Sequence, residues 1–202
     1  NLNGQRRHIE AEILYRRVLS INLSYDIVDY RSVAITNNNL GRTLSAMSRY
    51  SDAQPFFEKS LEFFNQSFGA NNLETARAVH NLAVNLSQQG NDIDAIPLLE
   101  RALKVRISQL VQDSTLTANS LEALAFAYMN ISSAANALTP ARQAMSIRQR
   151  VAEREGEGRD DIAQMRLGRK TAAAATLFTR AAWTARASTV DAEPALRAEA
   201  FE

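Results

Sequence analysis

The sequence predicts an all-α protein built from stacked helical hairpins, and two observations lead to that prediction. The first is composition: the 202 residues include only 7 Gly and 4 Pro, and 46% of the chain is hydrophobic. Scarce turn-forming residues favour helices over a sheet with many tight turns. The second observation is an internal repeat with a period of 42 residues, the spacing of Asn39 and Asn81. Such a period indicates a repeated supersecondary unit.

The repeat is clearest where Asn39-Leu40 is aligned with Asn81-Leu82. At the same offset, further residues of one unit are identical to residues of the next: Ala53 and Ala95, Pro55 and Pro97, Glu58 and Glu100, and Leu61 and Leu103. A single hairpin cannot bury its apolar face alone, whereas stacked neighbours bury a continuous core. The identities therefore predict consecutive hairpins that pack on one another.

A third, more divergent unit continues the register, with Leu124 at the position of Leu82. In the other direction Ala11 matches Ala53, so the chain opens with the second helix of a repeat whose first helix is missing. We therefore predict a single domain over residues 1–202. Its predicted segments are the second helix of a partial repeat (8–28), two repeats (30–69 and 72–111), a degenerate repeat (115–154), an Ala-rich capping helix or helix pair (160–187) and a tail (188–202).

Each unit is predicted to form two helices, because apolar residues recur at helical spacing on both sides of a short turn. Pro55 and Pro97 are expected in the first turn of the second helix, where a missing N–H costs little. Gly41 and Ala83 occupy equivalent positions within the first helices, where small side chains allow helix backbones to approach closely. Trp183 is expected to anchor the Ala-rich end helix.

Charge and composition narrow the functional classes. The net charge is +1, so the whole chain carries no strong field for nucleic acid or membranes. A basic excess over residues 140–186 is interpreted as a solvated helix face rather than a nucleic-acid site, because acidic residues interleave with the arginines. No apolar run approaches the length of a membrane helix, which predicts a soluble protein, cytoplasmic or periplasmic, of unknown compartment.

The residue types that support chemistry are sparse. The chain contains no cysteine, and its two histidines, His8 and His80, fall in different units. A metal site needs a cluster of ligands, and acid–base catalysis needs a base that a neighbour orients. We therefore expect no metal, no cofactor and no catalytic residue.

One unit carries, in order, Asn81-Leu82-Ala83, Gly90, Ala95, Pro97 and Glu100-Arg101-Ala102-Leu103. This motif resembles the 42-residue tetratricopeptide repeats of kinesin light chains and many bacterial proteins, and the resemblance covers residues 8–154. It implies a right-handed superhelical solenoid of antiparallel helix hairpins. It also implies a protein–protein interaction scaffold, not an enzyme, that binds a peptide or partner protein in a concave groove lined by the first helices.

The same resemblance places candidate partner-binding residues on the first helices. Relatives hold a bound peptide backbone with the Asn that precedes the Leu of this helix, a position that Asn39 and Asn81 occupy here. Helical geometry adds their neighbours on the same face, because amides can pair with a peptide backbone and Arg with carboxylates. The predicted site comprises Asn38, Asn39, Arg42, Arg77, His80 and Asn81.

Two alternatives concern the context of the chain. In bacterial proteins such repeat arrays often precede a caspase-like peptidase or another effector domain. The alternative function is therefore a regulatory or structural N-terminal segment of a larger bacterial enzyme. Separately, the missing first helix leaves Val18 and Leu19 uncovered, which predicts self-association through exposed solenoid ends.

Overall fold

The computed structural model describes residues 2–24, 29–110, 113–156, 169 and 172–185. Seven helices are α1 (Leu2–Asn22), α2 (Tyr30–Ala46), α3 (Tyr50–Phe68), α4 (Leu73–Gln88), α5 (Asp92–Gln109), α6 (Thr115–Asn130) and α7 (Ala134–Gly156). An eighth, α8, covers residues 172–185. These described ranges contain no strand, and the predicted all-α class is confirmed. The predicted tail (188–202) and most of residues 160–171 lie outside the described residues.

The chain divides into two compact units, Asn1–Gln109 and Leu110–Glu202. In the first unit each helix packs against the next, from α1 to α5, and α2 also contacts α4. The unit therefore consists of α1 followed by two helical hairpins whose first helices are neighbours. Leu40 and Phe57 of the first hairpin share a core cluster with Leu82 of the second, as stacked repeats require. The division of the chain into the predicted domain and repeats stays a prediction.

Polar residues cap the first helix of each hairpin. The side chain of Asp29 accepts a hydrogen bond from the backbone N–H of Arg31 at 3.0 Å. Asn72 and Ser114 accept equivalent bonds, each from the backbone N–H two residues later. A side-chain oxygen at this position satisfies an N–H group that the helix itself leaves without an acceptor. The caps explain why the first helices begin at these points.

The turn within each hairpin requires one residue in the left-handed conformation. Ser48, Gly90 and Ser132 occupy this position with φ angles of 60°, 84° and 59°. These residues are spaced by the repeat period, so each hairpin turns in the same way. Only the second repeat has glycine there, the residue that adopts positive φ without a steric cost.

The prediction that Pro55 and Pro97 lie in the first turn of the second helices is wrong. α3 begins at Tyr50 and α5 at Asp92, which places both prolines in the second turn. At that point a proline removes one hydrogen bond to the carbonyl four residues earlier. For Pro55 this carbonyl belongs to Ser51, an exposed residue, so water can satisfy it and the helix continues.

Gly41 explains the close approach of α2 and α3. A Cβ atom built on Gly41 would lie 2.8 Å from Cε1 of Phe57, closer than side-chain atoms pack. The Phe57 ring is buried, with 2% of the residue exposed. At the equivalent positions of the next repeat the residues are Ala83 and Leu99. Alanine is larger than glycine, and leucine is smaller than phenylalanine, so the two changes offset each other in volume. Glycine is therefore required at position 41 because the large ring of Phe57 packs against it.

α1 presents part of its apolar surface to solvent. Ile13 and Leu14 are 62% and 61% exposed, and Val18 is also exposed. Glu12 nevertheless ties the helix to the following hairpin, because its carboxylate pairs with Arg49 at 2.7 Å. The predicted exposure is confirmed for Val18 but is wrong for Leu19, which is half-buried, and self-association through this end stays a prediction.

The helices of the second unit pack against one another through small residues. Ala125 of α6, Ala137 and Ala141 of α7 and Ala181 of α8 form one buried cluster. The prediction that Trp183 anchors the end helix is wrong, because this residue is 76% exposed. In a helix, Trp183 lies about 200° around the axis from Ala181, so the face that packs inward directs Trp183 outward.

Candidate functional site

The two first helices of the first unit are joined by a pair of amides. The Nδ2 group of Asn81 on α4 donates a hydrogen bond to Oδ1 of Asn38 on α2 at 2.7 Å. Asn38 is 2% exposed, whereas Asn81 is half-buried. The Asn38 carbonyl thus holds the Asn81 amide in one orientation. The remaining donor and acceptor positions of Asn81 lie at the surface that α2 and α4 share.

A cavity of about 190 Å³ opens beside this pair. We call it the amide pocket; it is lined by Arg42, Ser45, Tyr50, Phe57, His80, Asn81, Val84, Asn85 and Gln88. Its residues come from α2, α3 and α4, so it exists only because two consecutive hairpins stack. Apolar surface from Phe57 and Val84 lies next to amide and guanidinium groups. This combination suits a ligand that has both apolar and hydrogen-bonding parts.

Asn85 is a buried amide in the lining of the amide pocket that makes three hydrogen bonds. Its Nδ2 group donates to Oγ of Ser45 at 3.3 Å and to the backbone oxygen of Tyr50 at 3.1 Å. Its Oδ1 atom accepts from Nε2 of Gln89 at 2.9 Å. Asn85 is 2% exposed, and its hydrogen bonds connect α4 to the end of α2 and the start of α3. It therefore fixes one wall of the pocket.

The structure places the predicted site residues in three different environments. Arg42, His80 and Asn81 line the amide pocket together, and Arg42 is exposed. Asn38 lies behind Asn81 and is buried. Asn39 is half-buried and Arg77 lies one helical turn from Asn81; neither lines the pocket.

Sequence reasoning missed Asn85 and Tyr50 as site residues. Asn85 follows Asn81 by four residues, so the two side chains share a helix face, and that spacing was the available signal. Tyr50 contributes through its backbone oxygen, for which the residue type carries no signal.

Arg77 belongs to a second group of basic side chains. Its Nη2 atom pairs with Glu74 at 2.5 Å, and its guanidinium lies over the ring of Phe64, 5.8 Å from the ring centroid. Burial, with a smaller contribution from the nearby positive charge of Arg77, lowers the pKa of Arg106 to about 10. Burial also lowers the pKa of His80 to about 3, with a smaller contribution from the charge of Arg106. Three basic groups from α4 and α5 therefore lie close together, and His80 is neutral at pH 7.

The described ranges contain no group of three acidic or histidine side chains that could hold a metal ion. Within the same ranges, no helix has both the length and the apolar character needed to cross a membrane. What the pocket offers is a set of oriented donors and acceptors beside apolar surface.

Comparisons with known proteins agree on the fold. The family model described as tetratricopeptide repeat matches residues 1–66 and 32–108. The structure of BtubC (BKLC) from P. vanneervenii is similar with a TM-score of 0.67 at 20% identity, covering 91% of this chain and 75% of that one.

A kinesin light chain structure from Podosopora anserina, described as having nearly identical TPR-like repeats, also matches with a TM-score of 0.67. The identity is 17%, and the match covers 96% of this chain and 92% of that one. No curated protein sequence matches the chain.

Proposed function

Because the chain belongs to the tetratricopeptide repeat family, whose fold generally serves as a scaffold for protein–protein interactions, we propose that its amide pocket binds a peptide segment of a partner protein. The proposed role is binding without catalysis. The observation that carries it is the amide pocket itself, in which two stacked hairpins place oriented amides, an exposed guanidinium and apolar side chains around one opening.

The chemistry of the pocket fits an extended peptide. A peptide backbone presents alternating N–H and C=O groups, and an amide side chain can pair with both. Asn81 is already oriented by Asn38, so little conformational entropy is lost when it pairs with a ligand. Half-buried Val84 supplies apolar surface that a side chain of the peptide would cover, and the buried ring of Phe57 lies beneath it at the base of the pocket.

The predicted site residues receive different roles in this proposal. Arg42, His80 and Asn81 contact the peptide directly, since they line the pocket. Asn38 positions Asn81. Asn39 and Arg77 lie beside the pocket and contact only a ligand that extends beyond it.

A library of displayed peptides, selected for binding to the purified chain, tests the proposal without knowledge of the natural partner. We expect the selected peptides to lose affinity when Arg42→Ala and Asn81→Ala are combined. The loss of two hydrogen-bonding positions at a desolvated contact should cost roughly 1–3 kcal/mol in total. Isothermal titration calorimetry measures the change.

The matched control is the pair Glu100→Ala and Lys104→Ala, both exposed on α5 and outside the amide pocket. These substitutions should leave peptide affinity unchanged. Peptides that bind the pocket variant and the control variant equally well would show that the binding surface lies elsewhere. Circular dichroism must show that the variants keep the helical spectrum.

A further inference from the structure

One face of α3 lies against α2, the first helix of the same hairpin. The ring of Phe63 on α3 stacks on the ring of Tyr30 on α2, with their centroids 5.6 Å apart. Phe57 packs against Gly41 of α2. Ser60 lies between the two phenylalanines on the surface of α3 and is fully buried. The positions of Ser60 and Phe63 therefore belong to the side of a second helix that its own first helix covers.

The second helices of the next two hairpins bury the same positions. At intervals of 42 residues from Ser60 come Ala102 on α5 and Ala144 on α7, both 0% exposed. Val105 and Ile147, one helical turn further along, are also buried. α5 packs against α4 and α7 packs against α6, the first helices of their own hairpins. Each of these hairpins thus covers this side of its second helix.

α1 has the same side without that cover. Val18 occupies the position of Ser60 and is 41% exposed, and Leu14 and Ile21 are 61% and 44% exposed. Because Leu14, Val18 and Ile21 follow one another at helical spacing, they form one apolar stripe, which we call the open stripe. Among the described residues α1 packs against a single helix, α2, which belongs to the following hairpin. Tyr15 nevertheless packs against the core cluster of that hairpin, as a residue of the preceding second helix should.

We infer that the open stripe is a docking site for one α-helix of a partner protein, which lies antiparallel to α1 in the place that a first helix takes in a hairpin. The first helices that the structure describes, α2, α4 and α6, each pack against the second helix of their own hairpin. A second copy of the chain can supply such a helix only by opening a hairpin, so the packing favours a partner protein as the occupant. The inference does not depend on peptide binding in the amide pocket.

The packing inside the hairpins specifies the chemistry of the docked helix. Phe57 packs closely against Gly41, and Tyr15 occupies the equivalent position of α1, so we expect a glycine opposite the Tyr15 ring. Val18 is larger than the serine or alanine at its position in α3, α5 and α7, which leaves room for only a small side chain opposite it. The two ends of the open stripe require apolar residues. The partner helix is therefore amphipathic, with small residues at the centre of its apolar face.

The probe is a capped peptide with the sequence of residues 29–46 of this chain, which form an N-cap and a first helix that contains Gly41. In protein with ¹³C-labelled methyl groups, the resonances of the open stripe should shift saturably as the peptide is added. A Gly41→Leu peptide should bind about tenfold more weakly or worse, because its larger side chain meets the Tyr15 ring. Shifts confined to α3 would show that the peptide replaces α2, and they would overturn the inference.

Val18→Asp tests the open stripe, and Ile13→Asp is its matched control, since Ile13 is an exposed aliphatic residue on another side of α1. Val18→Asp should weaken peptide binding about tenfold or more, because docking would bury the new carboxylate. Ile13→Asp makes the same change in residue type outside the stripe and should leave binding unchanged. Equal affinities of the two variants would contradict docking on the open stripe.

A tethered protein keeps the test decisive even when the isolated peptide forms little helix. Joining residues 29–46 to the N-terminus of the full chain by a flexible Gly/Ser linker gives the added helix an effective concentration on the order of millimolar. The Tm should then exceed that of the full chain, and Val18→Asp should remove the increase. An unchanged Tm together with unchanged methyl resonances would overturn the inference.

Sedimentation velocity of the untethered chain tests a second copy as the occupant. A monomer supports the partner helix, because the open stripe is then free to bind it. A dimer that Val18→Asp dissociates and Ile13→Asp does not would show that a second copy covers the stripe, and it would overturn the inference.

Discussion

Gly41→Ala should destabilise the protein although alanine is the better helix former. In an exposed helix this change would contribute up to about 1 kcal/mol of stability. Here the new methyl group would lie 2.8, 2.9 and 3.0 Å from three atoms of the Phe57 ring. The ring is 2% exposed within a core that also contains Leu40 and Leu44, so it has little room to move. Overpacking of this kind costs about 1–3 kcal/mol, which leaves a net loss of about 1 kcal/mol.

The sign of this effect depends on the residue opposite. In the Phe57→Leu background the pair becomes the Ala83–Leu99 pair of the next repeat, and Gly41→Ala should then stabilise by up to about 1 kcal/mol. The double-mutant cycle should therefore give a coupling free energy of about 1–3 kcal/mol. Urea unfolding followed by circular dichroism at 222 nm measures all four proteins. Stabilisation by Gly41→Ala in the presence of Phe57 would refute the steric reasoning.

Two further predictions concern protonation and the hairpin turns. Because the pKa of His80 is lowered to about 3, the unfolded chain binds a proton that the folded chain does not. Stability should then fall as the pH drops from about 6.5 towards 3, and His80→Gln should reduce this slope in urea unfolding, with His8→Gln as the control. Ser48→Gly should raise the free energy of unfolding by about 0.5–1 kcal/mol because Ser48 has a φ of 60°, and Gly90→Ser should lower it by a similar amount. Equal stability of all three proteins would show that the turns relax.

The all-α class followed from the repeat because the physical cause of the repeat is local. Apolar residues at helical spacing require a partner for each helix, and equal register places that partner in the neighbouring hairpin. Asn72 and Ser114 precede helices with the side chains that cap them. The predicted position of the prolines was wrong because the second helices begin about one turn earlier than expected. The carbonyl that loses its hydrogen bond to the proline nitrogen lies on the exposed side of the helix, so the helix tolerates the loss. Trp183 was misplaced because residue type alone does not say which helix face packs inward.

The candidate site was predictable only in part. Helical spacing and the repeat register predict Arg42, His80 and Asn81 on one surface, and the three residues line one pocket, because these relations depend on the geometry of one helix and its neighbour. The role of these residues in binding a partner stays a prediction. Asn81 pairs with Asn38 instead of Asn39 because of the angle at which α2 and α4 meet. That angle cannot be derived from the repeat period.

The order of the residues is enough to establish that this chain repeats a helical hairpin every 42 residues and that small residues mark close contacts between helices. Both features depend on which residues recur at which spacing, so they can be read directly from the sequence. The packing of the helices was needed to show that Phe57 requires Gly41 opposite it, and that Asn38 orients Asn81. These depend on which side chains from separate helices share one volume, and in a closely packed interior that is decided by distances of less than an ångström.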